Sequence, residues 1–174
     1  MTITTLYKLT DTDHLTRRTL QWGPGVTHTA SGEGALCGPG WIHAYTHPLL
    51  AACLNPIHAN YRPAILWECD GTVGKTDHGL KVGCTTLTTT RIIPLAESST
   101  VQRVRFGISC AWAGASASWR HWADAWLSGH DRSVRAAEAA WAARAAVRAR
   151  AHPSPLDLIR LAEWAMTDEL EVPI

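Results

Sequence analysis

Alternation of apolar and polar positions dominates the first hundred residues, and helical spacing dominates the rest. Residues 3–9, ITTLYKL, are rich in β-branched and aromatic side chains and run into the turn formers Asp11 and Asp13, which predicts a strand. Residues 26–30 predict a short strand. Residues 41–45 predict another, with Trp41, His43 and Tyr45 pointing one way and Ile42 and Ala44 the other. Residues 64–70, AILWECD, predict a strand that carries Leu66, Glu68 and Asp70 on one face. Residues 71–79 read as a loop, and residues 80–84 and 87–95 as two further strands. Trp22-Gly23-Pro24-Gly25, Ser31-Gly32-Glu33-Gly34 and Gly38-Pro39-Gly40 break the pattern as turns. Thr46 is the expected N-cap of a short helix over 47–54 that ends at Asn55-Pro56.

The period changes near Ser98. Val101, Val104, Ile108 and Ala111 form one stripe, with Arg103 and Arg105 off it, and predict a helix over 98–113. Trp119, Trp122 and Trp126 share one face of a second helix over 118–127. A third helix, opened by Asp131 or Ser133 and reaching about residue 149, carries a narrow Val134–Ala137–Trp141–Ala145 stripe among arginines. The last helix opens with Ser154 as N-cap, Pro155 at N1 and Asp157 at N3, and turns Leu158, Leu161, Ala165 and Met166 inward. The fold class is therefore α+β. A strand-rich part, 1–97, with one or two short helices precedes a three- or four-helix Ala/Trp-rich part, 98–174, expected to pack on it as one compact unit.

Composition narrows the function classes. Over 174 residues the formal net charge is +1, which gives no reason to expect nucleic acid or a membrane surface as partner. No apolar run reaches membrane-spanning length and no leader is seen at the N-terminus. Nine tryptophans against one phenylalanine make tryptophan the main aromatic filler. The five cysteines are odd in number and never closely spaced, which fits free thiols in a reducing cytoplasm.

Candidate chemistry concentrates in residues 21–60. Cys37, His43, His47, Cys53 and His58 are metal-ligand types, but their spacings match no compact zinc motif, so no metal is expected. The glycine clusters lack the Gly-Lys-Ser/Thr ending of a phosphate loop. Gly74-Lys75-Thr76 imitates that ending without the loop before it. No dinucleotide fingerprint is present. A thiol nucleophile with a histidine base can be drawn from Cys37 with His43 or Cys53 with His58. Glu33 and Glu68 are the candidate acids, and a strand would hold Glu68 the more firmly.

The segments YKLT, WGPGVTHTASGEGALCGPGWIHAYTHPLLA, LNPIHAN, RVRF and WLSGHDRS together resemble a family of uncharacterised bacteriophage and prophage proteins, over roughly residues 4–145. The resemblance implies an accessory protein of the bacterial cytoplasm that binds and modulates a host or defence protein through its helical part, without a cofactor. A further resemblance is to the ADP-ribosyltransferase-like fold, carried by Tyr7, GPGWIHAYTHPLLAACL and AILWECD. It implies an NAD-using enzyme with a pocket around residues 38–47. There His43 and Glu68 would be catalytic, and Tyr7, Trp41, Tyr45 and His47 would hold the cofactor.

Overall fold

The structure, a computed structural model, describes residues 2–112, 114–132 and 156–173. The chain divides into two compact units, Met1–Glu97 and Ser98–Ile174. The architecture is α+β, with the sheet in the first unit and a helical second unit.

In the first unit, β1 (Thr4–Thr10) pairs antiparallel with β6 (Ile65–Thr76), and β6 pairs along its length with β7 (Val82–Ile93). The other edge of β7 is shared. β5 (Ile42–Ala44) covers residues 82–84 and β4 (Thr27–Thr29) covers residues 86–88. A small hairpin of β2 (Leu15–Thr16) and β3 (Leu20–Gln21) follows β1. Tyr45, just past β5, exchanges two backbone hydrogen bonds with Tyr7 of β1, at 2.9 and 2.8 Å. That bridge closes β1, β6, β7 and β5 into a ring. Inside it lie Leu6, Ile42, Trp67, Cys69, Val82 and Cys84, all buried. Trp22 joins this core and donates its indole N–H to Thr16 Oγ1 at 2.9 Å, so its burial leaves no polar atom unsatisfied.

The hairpin β6–β7 is far longer than the alternation pattern predicts. Of the loop expected over 71–79 only 77–79 lie in a turn: β6 continues to Thr76, and β7 is one strand where two were expected. Gly74 and Gly83 of this hairpin are places where another side chain comes close against the backbone. A side chain at Gly74 would meet Trp41 Cζ3 at 2.6 Å, and one at Gly83 would meet Trp41 Cε3 at 3.0 Å. Bulges near Cys69 and Val73 let the hairpin coil around the core.

Helix α1 (Pro48–His58) packs on β1 and buries Leu50, Ala51, Cys53 and Leu54. Its N-cap is His47, not Thr46: His47 Nδ1 accepts from the Leu49 N–H at 3.3 Å. The helix also runs past Asn55-Pro56. Pro56 falls in its last turn, and the Asn55 carbonyl accepts from Ala59 N while the Asn55 side chain binds both backbone groups of Tyr61.

In the second unit, α2 (Thr100–Trp112) is opened by a reciprocal cap. Ser99 Oγ accepts from Gln102 N at 3.2 Å, and Gln102 Oε1 accepts from Ser99 N at 2.8 Å. Val104, Ile108 and Ala111 are buried as their spacing requires. Arg105, expected off the stripe, is buried too. Its guanidinium lies 4.2 Å from the Trp164 ring centroid and donates to the Glu169 carbonyl. Helix α3 (Ala117–Leu127) is capped by Ser116. Helix α4 (Leu158–Ala165) is capped by Asp157, whose side chain accepts from Arg160 N. The expected third helix lies outside the described residues, and the last helix starts later than expected, with Asp157 as its N-cap and not at N3 behind a Ser154 cap. Among the described residues, no helix is long and apolar enough to cross a membrane.

Candidate functional site

The closed ring puts one charged side chain in an apolar interior. Lys8 alternates with Leu6 and Thr10 along β1, so it points inward with them. It is only 7 % exposed, and its Nζ donates to the His43 carbonyl at 2.8 Å. The Tyr7–Tyr45 bridge is a single pair, and that carbonyl lies two residues beyond it. Lys8 thus supplies the donor that a continued ladder would have supplied. Burial pushes the Lys8 ammonium down to about 8, and the nearby Cys69 and Cys84 oppose that shift. The same burial raises Cys69 to about 12 and Cys84 to about 11, so both thiols stay protonated at neutral pH.

The outer face of the ring carries a row of polar side chains. Tyr45 pairs with Tyr7, Tyr7 with Glu68, and Glu68 with Arg91. Directly opposed residues share a face in an antiparallel sheet, so these four side chains stand side by side across four strands. Arg91 grips Glu68 bidentately, with Nε to Oε1 at 2.9 Å and Nη2 to Oε2 at 3.0 Å. Those hydrogen bonds hold the Glu68 carboxyl below its usual value. Glu68 is therefore a fixed carboxylate near neutral pH, not a proton donor. Tyr45 is buried, and that burial raises its phenol above the usual range. Its hydroxyl reaches His58 Nδ1 at 3.4 Å, with the two rings stacked.

Trp41 and His43 do not join this row. Both fasten the loop over residues 31–40, whose ends meet through Gly32 N to Gly40 O at 2.9 Å. Trp41 Nε1 donates to the Gly34 carbonyl at 3.2 Å, and Lys75 Nζ donates to the same oxygen at 3.1 Å. His43 Nε2 donates to the Leu36 carbonyl. Burial holds the His43 imidazole below its usual value, and the Leu36 carbonyl works against that shift. A neutral ring with Nε2 protonated is the tautomer this bond requires. Lys81 Nζ donates to Cys37 Sγ at 3.3 Å, the fourth side chain to pin the loop. His47 caps α1, as described above. Of the six residues singled out from sequence, the structure thus sets Tyr7, Tyr45 and Glu68 in one row and gives Trp41, His43 and His47 positioning work elsewhere.

Among the described residues no group of three or more His, Cys, Asp and Glu side chains is placed to hold a metal ion. Cys53 lies buried in α1, apart from the exposed Cys37 of the loop. Sequence reasoning missed Lys8, Lys81 and Arg91. A signal existed for Lys8, since strand alternation alone puts it on the apolar face.

In the second unit, the Trp112 and Trp119 rings meet edge to face with centroids 6.4 Å apart, and Trp119 and Trp122 are tilted at 5.7 Å. All three are half-buried. Exposed Arg120 donates from Nε to the Trp112 carbonyl at 3.2 Å and sets its guanidinium 6.0 Å from the Trp112 ring. Trp126, the last of the expected Trp face, is fully in the core. No family model matches the chain, no curated protein matches its sequence, and no solved structure matches it.

Proposed function

We propose that this protein acts by binding another protein and not by catalysis, through the Trp112–Trp119–Trp122 ladder and Arg120 of its helical unit. The observation that carries this reading is the ladder itself: three adjoining tryptophans left partly exposed beside an exposed arginine. Tryptophan and arginine are enriched among the few residues that dominate binding energy at protein interfaces, because each removes a large area from water. The groups an enzyme would need support the same reading. Arg91 occupies both Glu68 oxygens, the His43 ring is committed to Leu36, and His47 is spent on a helix cap.

The resemblance to phage and prophage proteins supports a bacterial host or defence protein as the partner, met in the bacterial cytoplasm. The test is affinity capture from bacterial lysate with the wild type and with Trp119→Ala and Arg120→Glu in parallel. The reading holds if one stoichiometric partner is retained by the wild type and lost by both variants. It fails if capture is the same for all three.

A second reading, an ADP-ribosyltransferase-like enzyme, is favoured by the row Tyr45–Tyr7–Glu68, which sets two aromatic side chains beside a fixed carboxylate. It requires NAD consumption with release of nicotinamide that disappears in Glu68→Gln.

A further inference from the structure

The chemistry of the tryptophan ladder restricts what it can hold. Trp112 closes α2, and Trp119 and Trp122 stand on α3. The rings are inclined to one another by 72° and 55°, with centroids 6.4 and 5.7 Å apart, so they leave two shallow angles between them. Rings this close are in contact with each other, which leaves no space for a cation between them. Arg120 already sets a positive charge 6.0 Å from the Trp112 ring. A cationic ligand is therefore the wrong sign and the wrong fit. The indole N–H groups of Trp112 and Trp119 have no acceptor among the described residues and reach solvent, while that of Trp122 is buried. Indole and guanidinium groups donate hydrogen bonds and accept none. The complement of such a surface offers carbonyls, few N–H groups and flat apolar rings. A helix keeps its carbonyls for its own hydrogen bonds. A strand needs a sheet edge, and among the described residues the second unit has no strand. A polyproline II segment leaves every carbonyl to solvent, and each proline lacks an N–H.

We propose that the ladder takes a proline-rich segment of its partner, in the polyproline II conformation, with an acidic residue beside the prolines. This rests on the reading of the ladder as the binding surface. Proline rings seat in the two angles between the tryptophans, and the Trp112 and Trp119 indoles donate to the segment's carbonyls. The exposed Arg120 guanidinium meets the flanking carboxylate. The segment is pre-extended, so little chain entropy is lost on docking.

The experiment titrates the intact protein, by tryptophan fluorescence and calorimetry, with three synthetic peptides. They are decaproline ending in two glutamates, decaproline ending in two lysines, and decaalanine ending in two glutamates. The first should bind saturably, and the alanine peptide at least ~10-fold more weakly. The lysine-ended peptide should be weaker by roughly 3- to 10-fold, a difference that Arg120→Gln removes. Trp119→Ala, with its fold verified by melting, should lose at least ~10-fold for the first peptide, and the milder Trp119→Phe should lose less. Equal affinity for the proline and alanine peptides, an unchanged affinity in folded Trp119→Ala, or no saturable binding of the first peptide overturns the proposal. A parallel titration with the captured bacterial partner separates the two failures. If that partner still depends on Trp119 while the proline peptide does not bind, the proline assignment falls and the ladder remains the binding surface. If neither depends on Trp119, both fall.

Discussion

Lys8 Nζ donates to the backbone carbonyl of His43 at 2.8 Å across the seam where β1 and β5 stop pairing. A side chain thereby completes a sheet that its backbone leaves open. The cost is an ammonium buried among Trp22, Cys69 and Cys84.

That cost should appear in the pH dependence of stability. Lys8 falls from its usual 10.5 to about 8 in the folded chain, so between those values the unfolded chain binds more protons and stability rises with pH. Below about 8 the penalty is constant, at roughly 3 kcal/mol. Cys69 and Cys84 act in the opposite sense. Their folded values of about 12 and about 11 exceed the usual 9, so above 9 the folded chain binds more protons and stability falls. Urea unfolding should therefore show stability rising from pH 8 to 9 and declining above it. In Lys8→Met the rise should vanish while the decline persists.

Gly74 and Gly83 form the floor under the Trp41 ring. Alanine at either position forces the ring off its seat and with it the anchor of the 31–40 loop. Each substitution should destabilise the first unit by about 1–3 kcal/mol. Both should also red-shift and quench the Trp41 contribution to fluorescence, measurable against a Trp41→Phe reference.

This floor also explains what was legible in the sequence and what was not. The inward side of β5, Ile42 and Ala44, follows from alternation alone, as do the buried positions Val104, Ile108 and Ala111 of α2. Gly71 and Gly74 read as loop signals, and Gly83 as a bend within a strand, because a glycine that interrupts a strand and one that accommodates a neighbour look the same along one chain. Only the packing of Leu87 and Trp41 tells them apart. The candidate site was partly legible. Tyr7, Tyr45 and Glu68 share a row because three separate strands fall into one register, but the partner that fixes Glu68, Arg91, lies on a strand whose pairing no local pattern specifies. Arg105 misled in the reverse way. Its charge argues for solvent, yet the planar guanidinium stacks on Trp164 and satisfies a backbone carbonyl.

Arg105→Ala should accordingly destabilise the helical unit by about 2–3 kcal/mol, through lost packing on Trp164 and an unpaired Glu169 carbonyl. Arg105→Lys should recover little, because an ammonium cannot stack and donate as the guanidinium does. Thermal melting followed by near-ultraviolet dichroism of the tryptophans reads both.

Glu68→Gln should leave thermal stability and partner capture as in the wild type, because the Glu68–Arg91 pair lies on an exposed face, with Arg91 69 % accessible. Wild type incubated with NAD should release no nicotinamide. Release that ceases in Glu68→Gln would instead establish the row Tyr45–Tyr7–Glu68 as an active centre.

The most direct measurement is a binding titration of the captured bacterial partner against wild type and Trp119→Ala, with folding of the variant verified by its melt. A ladder that anchors the interface should cost at least about 2 kcal/mol on loss of Trp119, a weakening of roughly 30-fold in Kd. A Kd within about twofold of the wild type would contradict the assignment of function to the tryptophan ladder.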